Sequence, residues 1–171
     1  MFISSFTYSK INHSQKYIGG DKYIEHVYSF KGKTNKKYLV IVEEYAYFVF
    51  VVKFCTYDRK NHPDRFNSLT NINECSRILT TIGYIMKEMV QNNPYASFGF
   101  IGSPLPGESN QNTKRYRLYS NVVSQLISPI LFEQKSLIQK SAYLLLNRDN
   151  HEPDLQKKIE EMFNRIYIMD A

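Results

Sequence analysis

The chain of 171 residues contains no tryptophan, two cysteines, seven glycines and six prolines. Cys55 and Cys75 belong to no Cys-x-x-Cys pair and to no Cys/His cluster. The usual zinc sites therefore lack ligands, and we expect no metal. Because each cysteine lies in an apolar run, we interpret both as reduced thiols of the core.

A long apolar run is also missing. The longest, residues 45–52, is too short to cross a bilayer and is followed by Lys53. Residues 1–17 mix Ser, Tyr, Lys and His and lack the apolar segment of a signal peptide. These absences predict a cytoplasmic protein that does not enter a membrane.

The residues that are present fit one globular domain over positions 1–171. Hydrophobic residues make up 43% of the chain and charged residues 22%, which excludes a chain disordered throughout. Aromatic residues reach 15% and favour strands. The formal net charge of +6 makes this a basic protein and allows an acidic partner, although the positive charges are scattered.

The first half of the chain predicts an antiparallel meander after a weakly patterned segment, residues 1–20. Residues 23–30 alternate between apolar and wetter positions, which indicates a strand with one solvated face. Residues 38–43 form a second strand. The continuous apolar run inside residues 46–57 predicts a third strand, buried on both faces at the sheet centre.

A long helix follows the meander. Asn71 and Glu74 have the spacing of a capping box, so we expect the helix to begin at Asn71 and to run to about Gln91. Its apolar residues recur at intervals of three and four and form one stripe: Ile72, Cys75, Leu79, Ile82, Met86 and Met89.

The second half predicts a short strand at 95–101, a helix at 113–127, and strand candidates at 130–137 and 141–147. Propensity allows 141–147 to be helical as well. A final helix is predicted over 153–169. The predicted fold class is α+β, with a central mixed, mainly antiparallel sheet of about six strands, helices on its faces and a C-terminal helix.

The helix at 113–127 carries the main candidate site residues. Arg115 and Tyr119 are four residues apart and share one face, and Lys114 and Arg117 add positive charge. Cations at a helix N-terminus oppose the helix dipole, so a purely structural purpose is less natural. The functional interpretation is an anion site or a catalytic Tyr119, and the alternative is a solvated cationic turn.

The order of elements resembles that of the GNAT family of N-acetyltransferases over about residues 23–147. In that fold a three-strand meander leads into a long helix, then a strand, a helix and a final pair of strands. Many members place an Asn seven residues before a Tyr, as Asn112 and Tyr119 stand here. The resemblance implies that Asn112 positions the pantetheine arm and that Tyr119 protonates the departing CoA thiolate. Arg115, where a small residue is usual, and Arg117 are further cofactor-binding candidates.

The glycine-rich pyrophosphate loop of that family is absent. Residues 58–70, between the long strand and its helix, contain no glycine, although backbone amides must approach the phosphates closely there. Glu74 adds negative charge near the helix start. Arg59, Lys60 and Arg65 could still contact phosphate through side chains.

Other candidates have simpler explanations beside the functional ones. His26 could act as a general base near a substrate amine, but a core or surface histidine explains it as well. Glu43 and Glu44 could bind a cationic substrate, or they could be solvated charges at a hairpin tip.

Four lysines at one predicted turn, beside many tyrosines, resemble the basic and aromatic surface of single-strand nucleic-acid binders: Lys31, Lys33, Lys36 and Lys37. Most of the tyrosines lie in predicted strands, where packing accounts for them. No helix-turn-helix, zinc-finger or RNP pattern is present, nor a GxSxG, HExxH or P-loop motif.

The sequence therefore predicts a GNAT-like protein that is non-catalytic and binds a macromolecular partner, either protein or nucleic acid, with no cofactor. The first alternative is a divergent N-acyltransferase that uses acetyl-CoA or another acyl-CoA. The second alternative is a basic nucleic-acid-binding module.

Overall fold

The structure is a computed structural model that describes residues 4–63, 65–67, 72–104 and 107–168. Its described strands form one seven-stranded sheet: β1 Tyr8–Ile18, β2 Asp21–Lys31, β3 Lys37–Tyr45, β4 Val49–Thr56, β5 Ser97–Ile101, β6 Phe132–Leu137 and β7 Ala142–Asn147. Its α-helices are α1 Ile72–Asn92, α2 Lys114–Leu126 and α3 Leu155–Phe163, which continues into a π-helical turn, Asn164–Ile168.

The strands follow the order β1-β2-β3-β4-β5-β7-β6 across the sheet. Neighbouring strands are antiparallel except β4 and β5, which run parallel because α1 crosses between them. The predicted α+β class, with a mixed sheet and a C-terminal helix, is confirmed. Residues 142–147, which propensity left open, form the buried strand β7.

The sheet is larger than the six strands predicted, because β1 comes from the segment that seemed weakly patterned. β1 is an edge strand and none of its residues is buried. A strand solvated on both faces has no alternation of apolar and polar residues, so its sequence carries no strand signal.

Helices cover both faces of the sheet. The part of the α1 stripe from Cys75 to Met89 packs, together with α2, against one face of the sheet. It belongs to the larger core, which also includes Ile78 and Ile85. α3 packs against the other face through Ile159 and Phe163. Both cysteines are buried, as expected. The predicted N-cap Asn71 lies outside the described residues. None of the described helices combines the length and apolar character needed to span a membrane.

The turn between β3 and β4 lies about three residues later in the chain than predicted. β3 continues through Glu43 and Glu44 to Tyr45, and β4 begins at Val49 rather than at residue 46. Tyr47 and Phe48 in the turn have positive φ angles of 63° and 58°, in the left-handed region that non-glycine residues seldom adopt. The Asn150 amide holds this turn by donating to the Tyr47 carbonyl at 2.9 Å.

Buried tyrosines predict loss of stability at alkaline pH. Burial raises the pKa of both Tyr28 and Tyr38 to about 12, whereas an unfolded tyrosine titrates near pH 10. As the pH rises from about 10 to 12, the unfolded state loses protons first, so the free energy of unfolding falls. At about pH 11 we expect a loss of about 1 kcal/mol for each of these two tyrosines.

Urea denaturation at about pH 8 and pH 11, with tyrosinate absorbance as a second signal, measures this loss. Tyr28→Phe should show a smaller difference between the two pH values than the parent chain. An unchanged free energy of unfolding at the higher pH would contradict the prediction.

Candidate functional site

The sheet parts between β4 and β5. The two strands pair only from Val49 with Ser97 to Val51 with Gly99. β4 then continues to Thr56 and β5 to Ile101, so their carboxyl ends separate. A gap at the carboxyl ends of neighbouring parallel strands is a common position for a ligand.

A cavity of about 190 Å³ occupies this gap. Its walls are mainly apolar with a few polar groups, as is usual for small-molecule sites. α1 and α2 contribute one side, and the π-helical turn after α3 contributes the other, so the cavity is bounded from both faces of the sheet. The lining residues are Val52, Lys53, Phe54, Phe66, Leu79, Ile82, Phe100, Ile101, Ser103, Arg115, Tyr119 and Tyr167.

The first turn of α2 is fixed against the end of β5. Thr113 is the N-cap: its hydroxyl oxygen accepts from the Tyr116 N–H at 3.1 Å and donates to the Gly102 carbonyl at 2.5 Å. The Thr113 N–H donates to the Ser141 hydroxyl at 3.0 Å, before β7. A Cβ atom at Gly102 would overlap the backbone of Tyr116, so only glycine allows this approach.

Tyr119 projects from α2 into the cavity, with its ring centroid 5.7 Å from that of Phe54. Its side chain is half-buried, and no hydrogen bond to its hydroxyl is found among the described residues. Burial raises the pKa of Tyr119 well above its usual value, and the nearby Arg115 guanidinium opposes this only in part. The group therefore remains an O–H at neutral pH and can donate a hydrogen bond into the cavity.

Of the other three predicted site residues, Arg115 lines the cavity, whereas Asn112 and Arg117 do not. Arg115 lines the cavity one turn before Tyr119, as the helical spacing predicts. Asn112 is exposed in a left-handed conformation, and its N–H donates to the Ile138 carbonyl at 3.1 Å. The Arg117 guanidinium donates to the Asn112 carbonyl. Asn112 and Arg117 thus hold the loop before α2 and do not line the cavity, and the cofactor role of all three residues stays a prediction.

No protein-family model, curated protein or solved structure matches this chain.

A buried acid, Glu43, contacts two residues that line the cavity. The sequence left it open as a group that binds a cationic substrate or as a solvated charge at a hairpin tip, and its burial excludes the solvated charge. Glu43 is 6% exposed and faces α3 from β3. The Lys53 ammonium forms an ion pair with its carboxylate, and the Tyr167 hydroxyl donates to it at 2.6 Å. Because Tyr167 gives its hydrogen to Glu43, Tyr45 donates to Tyr167, at 2.8 Å.

Strand register brings this cluster together. Ile41 pairs with Lys53 and Glu43 with Val51, so Glu43 and Lys53 are diagonal neighbours on one face. The sequence contains a signal for this ion pair. Lys53 follows the apolar run of β4, and Glu43 stands near it in the neighbouring strand β3. Tyr167 arrives from the end of the chain, and no local pattern indicates that contact.

The loop between β4 and α1 provides basic side chains near the cavity. Phe66 lines the cavity, the Arg65 guanidinium lies 4.6 Å from its ring, and Arg65 also donates to the Lys60 carbonyl at 2.7 Å. Lys60 and Lys37 lie 3.8 Å and 4.4 Å from the ring of Tyr57. A cationic surface therefore extends from the β2–β3 turn to the edge of the cavity.

Glu74, in the first turn of α1, is buried and accepts two hydrogen bonds. Its carboxylate accepts from the Tyr38 hydroxyl at 3.0 Å and from the Lys33 N–H. It therefore fastens the β2–β3 turn to the start of α1, and its negative charge stays at this helix end.

The remaining candidate, His26, lies away from the cavity. Its Nε2 is 2.9 Å from Glu44 Oε2 and its Nδ1 is 3.0 Å from Lys10 Nζ. None of these residues lines the cavity. Within the described residues, no group of three or more His, Cys, Asp or Glu side chains is placed to hold a metal ion.

Proposed function

We propose that this chain is a divergent GNAT-type N-acyltransferase that binds an acyl-CoA thioester in the cavity between β4 and β5. The observation that carries the proposal is Tyr119, a half-buried tyrosine that lines the cavity and whose burial keeps its hydroxyl protonated. A leaving thiolate needs a proton donor, and a positioned phenol can supply that proton.

The order of elements supports the proposal. From β2 to β7 the chain runs as a meander, a long helix, a strand, a helix and two strands, which is the order that the resemblance implies. The parting of β4 and β5 leaves a gap next to the helix that carries Tyr119. A pantetheine arm is narrow, which suits this gap.

The cationic surface supports it as well. Without a glycine loop, the phosphates of CoA would depend on side chains such as Arg59, Lys60 and Arg65. Lysine and arginine bind phosphate effectively, arginine through two parallel hydrogen bonds. Because side chains lose more freedom on binding than backbone amides do, we expect modest affinity.

A second candidate function is binding of a macromolecular partner without catalysis. The observation that favours it is Glu74, whose carboxylate is built into the first turn of α1 and repels phosphate there. The lysines beside Tyr57 would then meet an acidic partner surface.

Titration calorimetry with acetyl-CoA tests the proposal. We expect a micromolar dissociation constant and weaker binding of the nucleotide portion of CoA alone, because that portion lacks the arm that enters the cavity. Equal affinity for both would place the ligand on the cationic surface only and would overturn the cavity assignment. If neither ligand gives a heat of binding, the acyltransferase proposal is wrong and binding of a macromolecular partner is the function that the structure supports.

A further inference from the structure

Lys53 has surroundings that set it apart from an ordinary strand lysine. Its ammonium forms an ion pair with the buried Glu43 carboxylate and lies 4.5 Å from the ring of Tyr167 and 5.4 Å from the ring of Phe66. Its side chain is 23% exposed. A carboxylate and two aromatic rings stabilise a cation here.

Lys53 also shares the cavity with Tyr119. It is the one lysine among the described residues that line this cavity, and both Phe66 and Tyr167, which contact its ammonium, are lining residues too. An amine and a phenol that can donate a proton therefore line one small space, and a carboxylate that can accept a proton is paired with the amine. These are the groups that transfer of an acyl chain from sulfur to nitrogen needs.

We propose that Lys53 is a site of self-acylation, modified by the acyl thioester that occupies the cavity. This inference rests on the proposed function. Glu43 takes a proton from the Lys53 ammonium, and the neutral amine attacks the thioester carbonyl. The N–C bond forms and the C–S bond breaks. Tyr119 protonates the departing thiolate, and the second proton that the amine nitrogen loses returns to the Tyr119 phenolate. Glu43 passes the first proton to solvent. The products are an amide on Lys53 and a free thiol, and one proton is released overall to solvent.

Acylation of Lys53 would change the charge of the site. The amide carries no charge, so Glu43 would lose its ion pair and Tyr167 would lose a cation over its ring. A second turnover on the same lysine is impossible, so the reaction stops at one acyl group per chain.

Lys158 is a matched control. It also has a carboxylate partner, Glu152 at 2.5 Å, and an aromatic ring, that of Tyr47 at 4.9 Å, and its side chain is 31% exposed. It does not line the cavity. If an ion pair and a nearby aromatic ring were sufficient for reaction, Lys53 and Lys158 would both be acetylated.

The experiment is incubation of the full chain with acetyl-CoA, followed by intact mass measurement and peptide mapping. We expect one acetyl group, on Lys53, in the parent and in Lys158→Arg, and none in Lys53→Arg, which keeps the positive charge. Glu43→Gln should react about 10²-fold more slowly while keeping its acetyl-CoA affinity.

Acetylation of Lys158 at a rate similar to Lys53, or spread over many lysines, would overturn the inference. So would acetyl-CoA binding by calorimetry without modification of Lys53, although the proposed function would then stand. If acetyl-CoA does not bind, both fail.

Discussion

Tyr119→Phe is expected to lower the rate of acyl transfer by about 10²- to 10⁴-fold, the usual contribution of a general acid. The phenylalanine keeps the ring that packs against Phe54 and removes only the hydroxyl. Because that hydroxyl has no partner among the described residues, its loss leaves no buried group unsatisfied. The fold and the affinity for acetyl-CoA should therefore change little.

The measurement is release of free CoA thiol from acetyl-CoA with a panel of primary amines, together with the rate of Lys53 acetylation. Tyr84→Phe is the control, since Tyr84 is an exposed tyrosine of α1 that does not line the cavity. If Tyr119→Phe releases thiol as fast as Tyr84→Phe does, Tyr119 is not the proton donor.

Gly102→Ala is expected to lower the free energy of unfolding by about 3 kcal/mol or more. The added Cβ would overlap the backbone N of Tyr116 and lie 2.6 Å from its Cα. Backbone atoms in the first turn of a helix cannot rotate aside as the end of a side chain can. The start of α2 must move instead, and the Thr113 cap must loosen with it.

Urea denaturation measures this change, with Gly20→Ala as the control. A Cβ at Gly20 meets no atom within 4 Å, so that variant should differ from the parent by less than about 0.5 kcal/mol. Gly102→Ala should also lose acetyl-CoA affinity, because α2 carries Arg115 and Tyr119 into the cavity. A Gly102→Ala protein as stable as Gly20→Ala would contradict the packing of α2 on β5.

Local signals were sufficient for the helix that carries the site. The sequence predicted a helix over residues 113–127, and α2 spans Lys114–Leu126. Helical geometry fixes a four-residue spacing on one face, so Arg115 and Tyr119 both line the cavity. Asn112 precedes the helix, where no periodicity constrains the side chain, and it points elsewhere.

Contacts between residues far apart in the chain could not be predicted from the sequence. Glu43 looked like a hairpin residue because two adjacent acids suggest a turn, yet β3 continues through it and the turn after α3 contacts it. Tyr167 contacts Glu43 across 124 positions of chain, and only the packed fold sets that distance. The absence of glycine from the loop between β4 and α1 favoured a binding function over catalysis in the prediction. No residue pattern in the sequence indicates that β4 and β5 separate.

The left-handed turn at Tyr47 and Phe48 has a consequence for how this protein can evolve. The length of that turn sets which residues of β3 and β4 lie on the same face, since a shift of one position reverses every side chain of a strand. One inserted or deleted residue there would separate Glu43 from Lys53 and send one of them into the core under α1. We expect lineages that retain the site to vary the exposed aromatic side chains of this turn while conserving its length.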